Sequence, residues 1–405
     1  MNEYPIVGWH YCGLNRPPEE MMDTWHELGL NLVTLICSAQ QKDPVLRALD
    51  RAETHGIKLI LIDWRTSQHL LHERGEEEYR RGVQSVLDDY GSHPALFGFY
   101  VGDEPEAAYT ETACCAVRIC QELAPHLHAF LNLLPWFDWL SERLGTENYA
   151  PYLDRICRES NAKVIGYDCY MQMKSDRESG YADYFNNLRE YYLSFKRNGV
   201  PFINSVLCAG HCWYRRPSKD DLRWQLSTSV AHGAAAVMWF HIALLPHEDN
   251  YHSAPINRLG DRTEDFGWLR EVNWDFHNQM GKAMAALTID QCYHVGKAYG
   301  GMPLFEPFES ILDISSKEPL IASSFHDPDG QLYYVICSNT PDAPTYVTMK
   351  FKEGISLEKC SYGNVFVPMP GMQYAVEGVG KMPECSVGFF LSPGQMILLR
   401  ETKKS

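Results

Sequence analysis

The 405-residue chain lacks any run of about 20 consecutive apolar residues, the length that a membrane-spanning helix requires. It has no cluster of basic residues and carries a net charge of −16, so most of its surface would repel nucleic acid and anionic lipid. Its first residues show neither a basic start nor an apolar signal core. These absences predict a cytoplasmic protein, or a secreted one if a signal peptide has been removed, that binds neither nucleic acid nor membrane. A neutral substrate fits this charge best.

Several chemical signatures are also missing. No glycine-rich nucleotide fingerprint follows the first predicted strand, and no G-x-S-x-G nucleophile elbow occurs. The 13 cysteines are scattered, several of them within apolar runs, which is typical of reduced thiols in a core. The segment CAGHC at 208–212 offers two thiols and a histidine, but structural zinc sites usually need a second such pair, and none stands out. We therefore expect neither a metal nor a cofactor.

The first 288 residues alternate between short apolar or aromatic segments and amphipathic ones. Helix-like segments such as PPEEMMDTWHELG end in a glycine, as helices often do, and lead directly into the next strand. Eight such repeats predict an α/β fold of the closed (β/α)₈ TIM-barrel type over residues 1–288, with an open doubly wound sheet as the alternative. The predicted strands are PIVGWHY, LNLVTLIC, IKLILIDW, LFGFYVGDEP, HAFLNLLPW, AKVIGYDCY, VPFINSVL and AAAVMWFHI.

The remaining residues, 289–405, have a different pattern. Segments such as PLIASSFHDPDGQLYYVICSN show strand-like alternation around a D-P-D-G turn, and no amphipathic helix follows. This pattern predicts a C-terminal all-β, sandwich-like domain without a chemical motif of its own. Whether the chain forms a homo-oligomer is left open by the sequence.

Two adjacent carboxylates, Asp103 and Glu104, follow the fourth predicted strand in LFGFYVGDEP. Barrel enzymes carry their chemistry at the C-terminal ends of the strands, where the βα loops converge, so the position favours a catalytic role. A carboxylate before a helix is also a common N-cap, and that structural role is the alternative for both residues.

Polar and aromatic side chains stand at the ends of the other predicted strands, and six of the ten tryptophans lie at or just beyond such ends. An aromatic floor around a few polar groups is how a protein binds a sugar, whose C–H face stacks on indole while its hydroxyls form hydrogen bonds. The predicted substrate-binding residues are Trp9, His10, Asp63, Asn132, Trp136, Tyr170, His211, Trp239 and His241.

The segments GFYVGDEP, LNLLPW, GYDCY and AHGAAAVMWFHI, followed by REVNWDFHNQMGKAMAAL, resemble barrel glycoside hydrolases. The most similar are bacterial β-galactosidase-like proteins, related to the retaining clan whose acid/base glutamate lies in an Asn-Glu-Pro motif at the fourth strand. The resemblance covers most of the chain, including a trailing β domain. It implies hydrolysis of a glycosidic bond in an oligosaccharide, with Glu104 as the acid/base and Asp103 where the clan usually has asparagine.

One departure bears on the mechanism. The clan places a nucleophilic glutamate after the seventh strand, whereas residues 200–217 contain no carboxylate. Three substitutes remain open: the substrate's own acetamide, oriented by Asp103 as in the adjacent Asp-Glu pair of N-acetylhexosaminidases; Asp168 as base in an inverting reaction; or Glu248 from the loop after the eighth strand. The sequence thus predicts a glycoside hydrolase acting on a neutral or N-acetylated oligosaccharide with Glu104 as general acid. The alternative is a catalytically inactive barrel that binds carbohydrate.

Overall fold

A computed structural model describes residues 2–9, 16–244, 249–369 and 385–403. The chain divides into two compact units. The barrel unit comprises Pro5–Pro217 and Ala234–Asn273, and the β-sheet unit comprises Met1–Tyr4, Ser218–Gly233 and Trp274–Ser405.

The barrel unit is built on a closed ring of eight parallel strands, in which β9 pairs with β1 and Met238 lies opposite Val7. Two further short strands, β8 and β10, form an antiparallel pair beside the ring. The strands of this unit are β1 (Ile6–Gly8), β2 (Leu32–Cys37), β3 (Lys58–Asp63), β4 (Leu96–Asp103), β5 (His128–Leu133), β6 (Ile165–Asp168), β7 (Phe202–Leu207), β8 (Gly210–His211), β9 (Ala236–Phe240) and β10 (Tyr251–Ser253).

Helices connect the strands, and several of them bury one face. In α4, for example, Tyr79, Val83, Val86 and Tyr90 recur at helical spacing and are all buried. The helices along the chain are α1 (Pro18–Glu27), α2 (Lys42–Thr54), α3 (Gln68–Arg74), α4 (Glu76–Tyr90), α5 (Ala107–Leu123), α6 (Ser141–Leu144), α7 (Tyr149–Ser160), α8 (Arg177–Asn198), α9 (Lys219–Ala231), α10 (Glu264–Phe276) and α11 (Lys282–Met284). None of these helices is long and apolar enough, within the described parts of the chain, to cross a bilayer.

The barrel interior is filled by alternate residues of its strands, since successive side chains of a strand point to opposite faces. The buried cluster inside the ring consists of Val7, Trp9, Leu32, Ile60, Tyr100, Phe130, Val164, Ile203, Ala236 and Met238. Ile62, Phe97 and Phe240 pack against this cluster, and the strand residues that point to the opposite face meet the helices, which explains why the strands read as continuous apolar runs.

The β-sheet unit holds two antiparallel sheets that share one apolar core. Its six-stranded sheet has the order β11-β13-β14-β19-β16-β17, and its three-stranded sheet the order β12-β15-β18. These strands are β11 (Thr288–Val295), β12 (Ile311–Ser316), β13 (Leu320–His326), β14 (Leu332–Ser338), β15 (Thr345–Phe351), β16 (Ile355–Ser361), β17 (Val365–Pro368), β18 (Ser386–Leu391) and β19 (Met396–Lys403). The closed barrel and the antiparallel sheets confirm the predicted fold class, and the open doubly wound sheet is excluded.

Candidate active site

A cavity of about 420 Å³ opens at the C-terminal ends of the barrel strands. Carboxylates and an amide line its floor, and aromatic side chains form its walls. The lining residues are Trp9, Tyr100, Asp103, Glu104, Asn132, Leu134, Pro135, Phe137, Trp139, Leu140, Arg143, Asp168, Tyr170, Ser205, His211, Cys212, Trp213, Tyr214, Met238, Phe240 and Tyr251.

A β-bulge in β4 determines where its last carboxylate points. The pairing of β4 with β5 shifts register between Tyr100 and Gly102. In a regular strand, residues three apart point to opposite faces, but the extra residue of a bulge brings them to the same face. The Tyr100 hydroxyl accordingly donates a hydrogen bond to Asp103 Oδ1 at 2.6 Å, and both side chains line the cavity.

Asn132, at the end of β5, connects two of the carboxylates. Its Nδ2 amide lies 3.1 Å from Asp103 Oδ1 and 3.2 Å from Asp168 Oδ1, and it donates to both. The side chain of Asn132 is buried. The Asn132 amide thus holds the Asp103 carboxylate of β4 and the Asp168 carboxylate of β6 next to each other.

Glu104 follows β4 in a strained conformation. Its φ angle is +43°, in the left-handed region that non-glycine residues rarely occupy, while its N–H donates to the carbonyl of Asn132 at 2.9 Å. The N-cap position of α5 belongs to Glu106, so neither Asp103 nor Glu104 caps that helix. Strain of this kind clusters at functional sites, because surrounding contacts must hold the residue in place.

Glu104 and Asp168 form an interacting pair. Burial and the neighbouring Asp103 carboxylate raise the pKa of Glu104. Burial, followed by the charges of Glu104 and Asp103, raises the pKa of Asp168 well above its usual range, and the two side chains share a hydrogen bond. The pair therefore retains a proton to higher pH than an isolated carboxyl would, and this proton belongs to the pair rather than to one residue.

Aromatic rings form the walls of the cavity. Trp9 meets Tyr100 edge to face at 4.9 Å, Tyr170 stacks on Phe240 at 5.5 Å, and Phe137 stacks on Trp139 at 5.4 Å. Such flat apolar surfaces suit the C–H face of a sugar ring. Together with the polar floor, they give the cavity both kinds of contact that a carbohydrate needs.

His211 lies on the wall that follows β7. Its ring stacks on Tyr251 at 4.5 Å, and its Nε2 atom is 3.6 Å from the Sγ atom of Cys212. Burial, and then the nearby His252, lowers the pKa of His211, so the ring is neutral at neutral pH. A neutral imidazole can accept a hydrogen bond from a sugar hydroxyl or donate one. In the described parts of the chain, no three His, Cys, Asp or Glu side chains are grouped as metal ligands would be.

The structure brings seven of the predicted site residues to this cavity: Asp103, Glu104, Asp168, Trp9, Asn132, Tyr170 and His211. The other predicted site residues that the structure describes do not line the cavity. Asp63 is buried in an ion pair with Arg65 at 2.8 Å, and Trp136 stacks on Tyr149. The predicted residues His10 and Glu248 lie outside the described residues.

Trp239 and His241 are fully buried and do not line the cavity. The Trp239 indole N–H donates to Asn273 Oδ1 of α10 at 3.0 Å, so this side chain faces the helices while its neighbours Met238 and Phe240 face the cavity. The His241 ring packs between Phe240 and Tyr251.

Sequence reasoning missed several lining residues, including Tyr100, Phe137, Arg143 and Phe240. Tyr100 stands in the same GFYVGDEP segment that drew attention to Glu104, but only the bulge makes it a neighbour of Asp103. Arg143 lies in the short helix α6, ten residues beyond the end of β5, where no periodic pattern marks it. The signal that could have found it is a lone basic residue within the long connection that follows β5.

No protein-family model matches the chain, and no curated protein matches it in sequence. Solved structures do match its fold. A glycoside hydrolase superimposes with a TM-score of 0.58 at 11% identity, over 99% of this chain and 93% of that one. A family 39 glycoside hydrolase from the gut symbiont Bacteroides cellulosilyticus WH2 gives 0.55 at 11% identity, over 99% and 82%.

A third match is the β-galactosidase from the psychrophilic Marinomonas ef1, with a TM-score of 0.51 and 11% identity. It covers 67% of this chain, which spans 59% of the length of that enzyme. At such low identity these likenesses establish a fold shared with glycoside hydrolases. The substrate and the catalytic residues of this chain must be argued from its own cavity.

Proposed function

We propose that the protein is a glycoside hydrolase that cleaves a neutral or N-acetylated oligosaccharide, with Glu104 as the general acid. The observation that carries this proposal is the proton-retaining pair of Glu104 and Asp168 on the floor of an aromatic-walled cavity. A general acid at neutral pH must keep its proton there, and a raised pKa allows a carboxyl group to do so.

Glu104 suits the role of donor better than the other two carboxylates. Asp103 accepts hydrogen bonds from Tyr100 and Asn132, and Asp168 accepts one from Asn132, so these two side chains are held in place on the cavity floor. Glu104 has the longer side chain and is part of the loop that rises from the end of β4. We propose that it protonates the glycosidic oxygen, that the hydrogen bond with Asp168 then stabilises the Glu104 carboxylate, and that the attacking water returns the proton.

The geometry favours the substrate's acetamide as nucleophile over Asp168 as base. An inverting base must stand about 6.5 to 9.5 Å from the acid to leave room for a water molecule. Asp168 instead shares a hydrogen bond with Glu104, which is a much shorter separation. Both hydrogen bonds that Asp103 accepts from described residues end on Oδ1, so its Oδ2 atom is the oxygen that can hold a substrate N–H.

The reaction then proceeds in two steps. The acetamide oxygen forms a bond to the anomeric carbon as the bond from that carbon to the glycosidic oxygen breaks, and Glu104 transfers its proton to the departing oxygen. Water next attacks the anomeric carbon, the cyclic intermediate opens, and the water proton passes to the Glu104 carboxylate. Asp103 stabilises the positive charge of the intermediate, and the sugar product retains its anomeric configuration.

The proposal is tested by incubating the protein with matched 2-acetamido and 2-hydroxy oligosaccharides, followed by mass spectrometry and by proton NMR of the fresh product. We expect release of a 2-acetamido sugar with retained configuration, no cleavage of the 2-hydroxy partner, and a loss of activity in Asp103→Asn nearly as large as in Glu104→Gln. Efficient cleavage of the 2-hydroxy sugar would exclude the acetamide as nucleophile. A product of inverted anomeric configuration, together with only a small loss of activity in Asp103→Asn, would instead favour Asp168 as the base of an inverting reaction.

A second candidate function is carbohydrate binding without catalysis. It is favoured by the end of β7, which contributes Ser205 rather than a carboxylate to the cavity. The same screen separates the two functions. Thermal stabilisation by an oligosaccharide without any product would favour the binding protein, whereas turnover excludes it.

A further inference from the structure

The cavity mouth exposes two tryptophans. Trp139, in the loop after β5, is 74% exposed, and Trp213, in the loop after β7, is 69% exposed, yet both line the cavity. Leaving an indole in water forgoes the free energy that its burial would supply, so an exposed tryptophan beside a site indicates a surface that a ligand covers.

Trp139 extends an aromatic strip out of the cavity. Phe137 lies nearly parallel to it, with 5.4 Å between ring centroids and 7° between planes. The buried side of Trp139 is thus supported by another ring while the other side is open. This arrangement presents a flat face of indole to whatever enters the cavity mouth.

The loop that carries Trp139 is tied to the loop that carries Glu104. Arg143 donates two hydrogen bonds to Glu106 Oε1, at 3.1 Å from Nε and 2.7 Å from Nη2. Glu106 is two residues beyond Glu104, and Arg143 is four beyond Trp139. The aromatic strip and the proposed acid therefore stand on the same side of the cavity, whereas Trp213 lies on a different loop.

A general acid stands beside the oxygen that it protonates, which is the oxygen of the leaving group. We propose that Phe137 and Trp139 form the subsite for the sugar that leaves, so that the substrate is an oligosaccharide cleaved between the sugar in the cavity and the sugar stacked on Trp139. This inference rests on the proposed function, because it assigns the leaving-group side from the position of Glu104.

Glycosyl fluorides separate this subsite from the rest of the site. Fluoride departs without a proton and has no ring to stack, so the hydrolysis of a glycosyl fluoride requires the cavity but not the leaving-group subsite. An oligosaccharide of the same sugar requires both. Loss of one stacking contact is expected to lower kcat/KM on the order of tenfold to a hundredfold.

The experiment compares wild type, Trp139→Ala and Trp64→Ala on two probes, a set of di- to tetrasaccharides and the matching fluorides of glucose, galactose and N-acetylglucosamine. Trp64 is the matched control, since it is 51% exposed on the loop after β3 and does not line the cavity. We expect Trp139→Ala to lower kcat/KM on the oligosaccharide about tenfold to a hundredfold. Its kcat/KM on the glycosyl fluoride should equal that of wild type. Trp64→Ala should match wild type on both.

Three results would overturn the inference. Unchanged oligosaccharide kinetics in Trp139→Ala would remove the subsite while leaving the proposed function intact. An equal loss on both probes would mean that Trp139 contacts the sugar in the cavity instead. If the wild type hydrolyses neither probe, the proposed function itself fails, and the subsite fails with it.

Discussion

Tyr100 and Asp103, three residues apart on one strand, meet on the same face of that strand, where the tyrosine hydroxyl donates to the carboxylate across 2.6 Å. Only the bulge between them makes this contact possible. The contact fixes the carboxylate that we propose holds the substrate acetamide. It also gives a buried phenol a partner that it would otherwise lack.

We predict that Tyr100→Phe lowers kcat on a 2-acetamido oligosaccharide about tenfold with little change in KM, because Asp103 is then less firmly oriented in the transition state. The ring is kept, so the cost in stability should be about 1 kcal/mol. Steady-state kinetics and urea denaturation measure the two effects. Wild-type kcat in a folded Tyr100→Phe protein would show that the contact is structural only.

Asp168→Asn should stabilise the fold at neutral and alkaline pH. Burial and the charges of Glu104 and Asp103 raise the pKa of Asp168 in the folded protein above its value in the unfolded chain. The folded protein therefore keeps the Asp168 proton to a higher pH than the unfolded chain does. The free energy of unfolding falls as pH rises from the pKa of the unfolded chain through that of the folded protein. Asparagine does not ionise in this pH range, so the stability of Asp168→Asn does not fall with pH for this reason.

Calorimetry from pH 4 to pH 8 measures the difference. The melting temperature of Asp168→Asn should exceed that of wild type at pH 8, and the gap should close toward pH 4. Asp88→Asn, a change at an exposed position, serves as the control. A difference in melting temperature that stays constant from pH 4 to pH 8 would contradict the raised pKa of Asp168 as its cause. We expect the activity of Asp168→Asn to be reduced at every pH.

The β-sheet unit contains a second titratable pair. His232 Nδ1 lies 2.7 Å from the carbonyl of Thr228, and its Nε2 lies 3.3 Å from Nε2 of His294. His232 Nδ1 must donate to the Thr228 carbonyl, so its neutral ring accepts at Nε2 from His294, and a second proton on His232 would set two N–H groups against each other. Burial lowers the pKa of His232 to about 4 and that of His294 well below its usual range.

Acid should therefore destabilise the protein through this pair. The unfolded chain binds protons at its ordinary histidine pKa of 6.5, while the folded His232 resists them until about 4, so stability falls as pH falls through that window. At full effect the His232 difference corresponds to about 3 kcal/mol. The drop in melting temperature from pH 7 to pH 4.5 should be smaller in His232→Gln than in the exposed control His126→Gln. Equal drops would refute the prediction.

Trp239→Ala should unfold more readily rather than bind substrate less well. The indole is buried against the helices and bonded to Asn273, so its removal leaves both a cavity and an unpaired amide oxygen. The expected cost is about 3 to 5 kcal/mol by denaturant titration. Any folded Trp239→Phe protein should bind oligosaccharide like wild type. Weakened binding in that folded variant would place Trp239 among the substrate contacts.

The contrast between Trp239 and its neighbours shows what the sequence could predict. The apolar run AVMWFHI indicates a buried strand, and the barrel rule correctly directs attention to its C-terminal end. Both faces of such a strand are apolar, one toward the barrel interior and one toward the helices, so composition cannot distinguish Met238 and Phe240 from Trp239. That distinction depends on register, which the closure of the ring sets.

Side-chain contacts that the sequence pattern does not reveal account for the remaining differences. Asp63 stands at a strand end like Asp103, but Arg65 engages it, and Asp89 also holds that arginine. Nothing in the spacing of these residues marks the ion pair. The position of Asp103 beside Tyr100 likewise depends on a bulge that hydrophobic periodicity does not reveal.

The dependence of Glu104→Gln activity on the leaving group reports whether Glu104 is the general acid. The amide preserves shape and hydrogen bonding but cannot donate a proton. Because kcat/KM reports the first step, in which the leaving group departs, we predict a loss of about 10² to 10⁴ in kcat/KM on an oligosaccharide and a far smaller loss in kcat/KM on the glycosyl fluoride of the same sugar. Glu111→Gln, at an exposed position on α5, should behave as wild type on both. Oligosaccharide turnover by Glu104→Gln within a few-fold of wild type, or equal losses on both substrates, would contradict the assignment of Glu104 as the general acid.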